Sequence, residues 1–416
     1  MHWTHDVGAR SVLSVTIDHS AERVWTGHTP GSSDYVRLLA ALFCAGVATF
    51  AQLYSPQAVL PLISAELGIG AAQAALTISA STVGLAIGVI PWSSLADRIG
   101  RVRAISLSVT LATAVGLLVP FAPSFELLLA GRFVEGLAVG GVPAIAVAYL
   151  TEEVNHSHAA RAAGTFVAGT TIGGLLGRLV SSPVAEVAGW RAGVFTVAAV
   201  CAVAALAFVK LAPRSRGFTP SRQANPEGNL AHRLAVNLRT PRQLILFAQA
   251  FLLMGGFVAL YNFLGFRLTG PPFLLAPSVV SLVFVAYLAG TWASTRAGRE
   301  ASRFGRRPVL LVSIAVMAIG VAITLSDNLF VVLAGLVVAT AGFFGAHSVA
   351  SGWAGHAAPA GKAQASSLYN LFYYGGSSVI GWFGGVAFDE AGWTAVAATV
   401  LVLAAVAAAV AAFLRD

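Results

Sequence analysis

The stretch Ser93-Ser94-Leu95-Ala96-Asp97-Arg98-Ile99-Gly100-Arg101-Val102-Arg103 sets one acid and three arginines between two long apolar runs. A second stretch, Gly298-Arg299-Glu300-Ala301-Ser302-Arg303-Phe304-Gly305-Arg306-Arg307, echoes it. Aligning Gly100-Arg101 on Gly305-Arg306 gives an offset of 205 positions, about half of the 416-residue chain. Similarity at a fixed offset is the mark of internal duplication. The duplicated unit is a short basic loop between two apolar helices, which points to a membrane protein built in two halves.

Composition agrees. Charged residues make up 10% of the chain, against roughly 25% in soluble domains. Hydrophobic residues reach 57%, more than a soluble fold can hide from water. The formal net charge of +8 raises nucleic acid as a partner. The charges sit in short loops between apolar runs, however, and read as orientation signals instead. Cys44 and Cys201 both fall within apolar runs, where small packing residues are the expected role. His2, His5, His19 and His28 are scattered, so neither a metal nor a cofactor is expected.

Residues 1–35 are polar and carry no apolar core of signal-peptide length; they are read as a mobile cytoplasmic tail. Twelve apolar runs follow, each near the ~20 residues that cross the hydrocarbon layer. The first six are Val36–Leu60, Gln73–Pro91, Ala104–Phe121, Leu127–Leu150, Gly164–Val187 and Ala192–Val209. The second six are Leu244–Leu264, Val279–Ser294, Pro308–Leu325, Phe330–Ala350, Ala365–Phe388 and Trp393–Leu414. The expected organisation is therefore a bundle over 36–209, a basic cytoplasmic linker over 210–242 and a second bundle over 243–416. With the N-terminus placed in the cytoplasm, loops and tails on that side hold 21 of the 25 Lys and Arg residues. The opposite loops hold two, Arg191 and Arg267, and the remaining two, Arg132 and Arg178, lie inside spans. That is the positive-inside bias; it predicts both termini and the linker on the cytoplasmic side.

Twelve spans, a basic central linker and the repeated loop resemble the major facilitator superfamily. The family's loop pattern is Gly-x-x-x-Asp-Arg-x-Gly-Arg-Arg/Lys, after helices two and eight. Asp97, Arg98, Gly100 and Arg101 match it, with Ser93 in place of the leading Gly and Val102 in place of a basic residue. Gly298, Arg303, Gly305, Arg306 and Arg307 match in the second half, where Ser302 replaces the acid. The stretches Leu150-Thr151-Glu152-Glu153, Gly173-Gly174-Leu175-Leu176-Gly177-Arg178 and Tyr261-Asn262 are similar to those of the YnfM-like efflux permeases, near the drug:proton antiporters. In the antiporters' helix-five motif, Gly164, Gly173 and Gly177 keep their spacing, but Arg178 stands where Pro belongs. The resemblance implies an all-α membrane protein of twelve transmembrane helices in two pseudo-symmetric six-helix bundles. It also implies a multi-pass protein of the bacterial inner membrane that handles a small-molecule substrate.

The buried charges are the candidate machinery. Arg132 and Glu135 are three apart and share a helix face. An ion at mid-bilayer costs roughly 2.5–3.5 kcal/mol, so such residues face a cavity or a partner. By the resemblance, Arg132 is the helix-four arginine implicated in proton coupling. Counted at ~1.5 Å per residue, Arg178 lies at a similar depth, so an Arg–Glu–Arg cluster is expected, either a coupling site or a structural salt bridge. Gln52, Tyr54, Tyr261, Asn262, Tyr369, Asn370 and Tyr373 are the candidate substrate-cavity residues, with His347 as the lone ionisable group within the second half's spans.

Asp97, Arg98, Gly100 and Arg101, with Gly305, Arg306 and Arg307, form the candidate cytoplasmic gate. Asp97 is expected to cap helix eleven near Gly361–Ser366 when that side closes. No Gly-x4-Gly-Lys-Ser/Thr phosphate loop occurs, so neither an ATPase nor another enzyme is expected. The leading function is a secondary transporter, a proton-coupled exporter first and an importer second, acting as a monomer amid membrane lipids. A receptor or scaffold on the same fold is the remaining class.

Overall fold

The computed structural model describes residues 25–218 and 230–414. Ten helical elements among them are long and apolar enough to cross a membrane. In chain order, with one short helix, they are α1 (Ser33–Leu67), α2 (Ala71–Ile99), α3 (Arg101–Phe121), α4 (Phe125–Glu153), α5 (Ala159–Leu211), α6 (Leu230–Arg239), α7 (Pro241–Thr269), α8 (Pro277–Phe304), α9 (Arg306–Ile323), α10 (Leu329–His356) and α11 (Lys362–Ala411). The basic stretches thus lie at the α2–α3 and α8–α9 junctions.

Ten elements become twelve spans because two of them double back. α5 and α11 run 53 and 50 residues, roughly 75–80 Å at 1.5 Å per residue, far more than a ~30 Å hydrocarbon core. α5 breaks at Gly189 (φ 84°, ψ 158°) and α11 at Ala391 and Gly392. The limbs of α5 lie side by side, since a Cβ on Gly193 would sit 2.3 Å from the Ser181 carbonyl. Ile380 and Val400, on the two limbs of α11, flank neighbouring positions Gly255 and Gly256 of α7.

The duplication is visible in the backbone. Gly100 (φ 93°, ψ 155°) and Gly305 (φ 91°, ψ 157°) adopt one conformation, each ending one helix and starting the next. Positive φ is costly for a residue with a Cβ, so glycine is required at both turns. At the opposite end, Arg191 donates to the Pro120 and Ala122 carbonyls at the end of α3, at 2.8 and 3.2 Å. Arg267 does the same for the Thr324 and Ser326 carbonyls after α9. Both cations thus occupy helix C-termini, whose last carbonyls lack internal partners.

Several boundaries differ from expectation, each for a local reason. α1 continues past Leu60 to Leu67 because Pro56 and Pro61 interrupt the hydrogen bonding without stopping the chain's direction, through a 3-10 turn at Ser55–Val59. α8 runs ten residues beyond Ser294 because Arg296 and Glu300 pair at i,i+4, 2.8 Å apart, and carry the helix out of the apolar zone. The last part of the expected tail is docked. His28 N–H donates to the Glu153 carbonyl (2.7 Å), Asn155 N–H to the His28 carbonyl (3.1 Å), and the Trp25 indole to the Glu152 carbonyl (3.2 Å).

Each half has its own apolar core. One gathers Leu38, Leu42, Val142, Ile145, Tyr149 and Phe208; the other Phe247, Phe257, Leu310, Phe343 and Val400. Outward faces keep Ile87, Leu118, Val203, Val312, Ile319 and Val402 more than half exposed. In water that belt would be an aggregation surface; in lipid it matches its solvent.

Where α2 meets α4 the helices nearly touch: a Cβ on Gly136 would stand 2.0 Å from the Ser81 carbonyl. The absent side chain there allows the helices to pack this closely.

Candidate functional site

The break in α1 organises the buried charges. Pro56 has no N–H to bond the Gln52 carbonyl in helical register, so that carbonyl is left for other donors. It receives Ser55 Oγ at 3.1 Å and Arg132 Nη1 at 3.3 Å. Arg132 Nη2 donates to the Leu53 carbonyl at 2.6 Å, and Nε to the Thr77 carbonyl on α2 at 3.1 Å. Nη1 also meets Glu135 Oε2 at 2.5 Å. Both side chains are at most 2% exposed, so the pair is desolvated and charge-neutral. Gln52, beside the pair, donates its amide N–H to the Ala112 carbonyl on α3 at 2.5 Å.

Arg178 does not join this pair. It reaches α1 on the other side of Pro56: its Nε donates to Gln57 Oε1 at 2.8 Å, and Nη1 to the Gly174 carbonyl at 2.6 Å. Arg132 bonds the Gln52 and Leu53 carbonyls before Pro56, and Arg178 the Gln57 side chain after it. The expected three-residue cluster is therefore two separate sites. Tyr54, Phe284 and Tyr287 set their rings 4.5, 4.7 and 5.0 Å from the Arg178 guanidinium carbon. Gln57 Nε2 donates in turn to Asn262 Oδ1 at 2.6 Å, linking the two halves.

A cavity of about 270 Å³ opens beside Arg178, lined by Tyr54, Phe257, Tyr287, Phe344, His347 and Tyr373 among others. His347 Nδ1 lies 3.1 Å from the Tyr369 hydroxyl, and its ring is tilted against that of Tyr373, 4.8 Å between centroids. Tyr261 is buried behind this wall, its hydroxyl 2.7 Å from Thr340 Oγ1 and its ring 4.9 Å from Tyr287. Asn370 is elsewhere, in a cleft of about 540 Å³ between α2, α4, α6 and α11.

Gln57, Phe257, Phe284, Tyr287 and Phe344 were not among the expected residues. Gln57 had one signal, a polar side chain directly after a proline inside an apolar run. Tyr287 carried the same signal as the chosen tyrosines, a polar aromatic inside a span; the phenylalanines had none, because Phe in a membrane span is ordinary.

The cleft lies at the end of the bundle that carries the basic loops. Asp97 and Gln364 both line it, so the Asp97 side chain and the start of α11 stand apart across open space. Asp97 instead pairs with Arg101 at 2.6 Å, and Arg101 with Glu152 at 2.8 Å. Arg98 is exposed beside them. Arg306 joins Gly305 in lining a separate surface pocket between α8, α9 and α10, and Arg307 follows it in the first turn of α9.

The opposite end is shut. Asp389 accepts from the Ala71 and Ala72 N–H groups at 2.9 and 3.0 Å, and Glu186 from the Ser278 N–H at 3.0 Å. Ser182 Oγ also donates to the Pro277 carbonyl at 2.7 Å.

Two helical halves, a charged pocket between them and a cleft at the end that carries the basic loops are the architecture of a membrane transporter. The sequence pattern of the Major Facilitator Superfamily matches residues 41–301 and again 272–416, and the chain belongs to that family. It is 40% identical over 377 residues to the inner membrane transport protein YnfM of Escherichia coli K12, covering 91% of this chain and 90% of that one. It is 36% identical to the MFS-type transporter YybF of Bacillus subtilis, over 88% and 90% of the two chains. Its fold superposes on an inward-facing bacterial homologue of the lysosomal transporter Spinster with a TM-score of 0.75. That match covers 92% of this chain and 97% of the other at 19% identity. The protein is an integral multi-pass transporter and not an enzyme.

Proposed function

We propose that this transporter exports a small organic solute across the bacterial inner membrane in exchange for protons, working as a monomer by alternating access. The face bearing the Asp97 loop is cytoplasmic in this reading, with both termini there; the 21-to-2 division of loop cations supports it. The solute enters through the 540 Å³ cleft and is released after the far end opens. Export is supported by the resemblance of the Gly173–Arg178 and Tyr261-Asn262 stretches to efflux permeases.

The observation that carries proton coupling is the Arg132–Glu135 pair. Glu135 is the only carboxylate among the described residues that is buried in the middle of a span. Arg132 and Glu135 both ride on α4, but the Arg132 guanidinium is also held by carbonyls of α1 and α2. A change in the packing of α1 and α2 on α4 therefore changes how closely the guanidinium holds the acid. Held closely, Glu135 stays ionised; released into an apolar surround, it takes a proton.

The test is flux in proteoliposomes with and without an imposed pH gradient. Glu135→Gln is expected to lose gradient-driven accumulation and keep solute exchange. Accumulation that still follows the gradient in that variant removes Glu135 from the mechanism.

A further inference from the structure

We propose that the transported solute is a small organic anion, an aromatic carboxylic acid, whose carboxylate docks on Arg178. This rests on the transporter reading above. Arg132 and Arg178 are buried alike, at 1% and 3% exposure, and are partnered in opposite ways. Arg132 has Glu135. Arg178 takes part in none of the ion pairs among the described residues. A guanidinium keeps its proton at any physiological pH, and a buried charge is costly unless an opposite charge compensates it. The pair on α4 sums to zero, so Arg178 leaves one uncompensated positive charge buried in the protein.

Its present partners are dipoles only. Gln57 Oε1 sits before Nε and Nη2, where a carboxylate would make a two-pronged contact. The Tyr287 hydroxyl is 3.4 Å from Nη2, at the long limit of a hydrogen bond. The relay then passes from Gln57 to Asn262, whose Nδ2, in a side chain 1% exposed, has no acceptor among the described residues. An anion that displaces Gln57 from Arg178 satisfies the guanidinium and frees the two amides to pair differently.

The walls give the rest of the ligand. Tyr54, Phe257, Tyr287 and Tyr373 line the same cavity as Arg178, with the Tyr54 and Tyr287 rings 4.5 and 5.0 Å from its guanidinium carbon. Its volume of about 270 Å³ equals that of roughly nine waters at ~30 Å³ each. That suits one substituted ring and falls below the ~300–1,000 Å³ of larger ligand sites. Benzoate has this size, this charge and this aromatic face.

The test uses the purified full chain and matched pairs that differ only in charge: benzoate against benzamide, phenylacetate against phenylacetamide, with benzylamine as the cation. Acids are expected to raise the melting temperature, and amides and amine are not. Arg178→Gln removes the uncompensated charge, so it is expected to fold, and to bind acids about 10- to 100-fold more weakly. Gln57→Glu supplies an internal carboxylate to the same guanidinium. It is expected to melt at or above the wild type and to ignore the acids.

Equal response to acids and amides, no response to any acid, or retained acid affinity in Gln57→Glu each overturns the proposal. Proteoliposome flux separates this from the broader reading. Movement of neutral or cationic solutes but not acids leaves a transporter with the wrong substrate class assigned. Movement of no solute class sinks the transporter mechanism itself.

Discussion

Asp389 and Glu186 occupy corresponding places in the two halves, 203 residues apart, and each carboxylate caps a helix of the other half. Asp389, at the end of the first limb of α11, receives the first N–H groups of α2; Glu186, at the end of the first limb of α5, receives an N–H at the start of α8. Free N–H groups and the positive helix end favour an anion at both points. The two contacts form a twofold-related latch that holds the bundle shut at the end opposite the basic loops.

Removing one carboxylate should loosen that latch by the worth of one helix-end contact. In Asp389→Asn, a cysteine placed at Ser79, which lies in the α2–α11 seam bonded to the Ser378 carbonyl, is expected to label about two- to fivefold faster. Combining it with Glu186→Gln should add a further increase. Unchanged labelling in the double variant means that packing alone closes this end.

The Arg132–Glu135 pair predicts a non-additive pattern of stability. Arg132→Met leaves a buried carboxylate unpaired and should destabilise by about 3–5 kcal/mol. Arg132→Met with Glu135→Leu removes both charges and should recover most of that loss. Melting of the detergent-solubilised variants gives the answer. A double variant no better than the single one shows that Arg132 acts mainly through the Gln52, Leu53 and Thr77 carbonyls.

Asp97 faces the start of α11 across the open cleft, and closing the cleft would bring an anion toward an uncapped helix end. Asp97→Asn is therefore expected to lower the initial transport rate about two- to thirtyfold at equal protein levels. Ser302, which stands where the repeat loses its acid, should tolerate Ala with little change. A normal rate in Asp97→Asn refutes the gate.

Topology is checked with an impermeant thiol reagent on intact cells, in a background with Cys44 and Cys201 replaced. Ser326→Cys is expected to label readily and Ser157→Cys to stay protected until the membrane is permeabilised. The reverse pattern inverts the assigned orientation.

The docked strap before α1 should respond to pH. Burial, the larger cause, and the nearby Arg216 charge hold the His28 imidazole below its ordinary 6.5, against the opposing pull of Asp34. The undocked strap then binds a proton first, so docking is stable above about pH 6.5 and weakens as pH falls below it. Hydrogen exchange at His28 and Asn155, whose amides join the strap to the α4–α5 loop, is expected to quicken at pH 5.5 relative to pH 7.5. Equal protection at both values removes His28 as the cause.

Span number, the duplication at Gly100 and Gly305, and the membrane-spanning class were legible in the sequence because each is local. A run of apolar residues has its length whatever packs beside it, and a glycine that must take positive φ is needed by its own turn. Even the two doubled helices were read as separate spans, since about 50 apolar residues cannot lie in one crossing.

The sites were less legible. Arg132 and Glu135 could be paired from their spacing, three apart on one helix. The same arithmetic placed Arg178 at their depth and joined it to them, since counting along a helix gives height and not which way the helix faces. The latch carboxylates Asp389 and Glu186 passed unnoticed among ordinary helix-end acids, because the groups they cap lie 318 and 92 residues away in the chain.

By itself, then, the sequence determined a two-halved bundle of twelve spans with three ionised side chains that the membrane cannot tolerate unpartnered. Only the tertiary structure decided that Glu135 belongs to Arg132 and that Arg178 is left with Gln57 and three aromatic rings. The reason is physical: α1 breaks at Pro56, the two arginines reach it on either side of that break, and the rotation of helices about their axes comes from packing across the whole bundle.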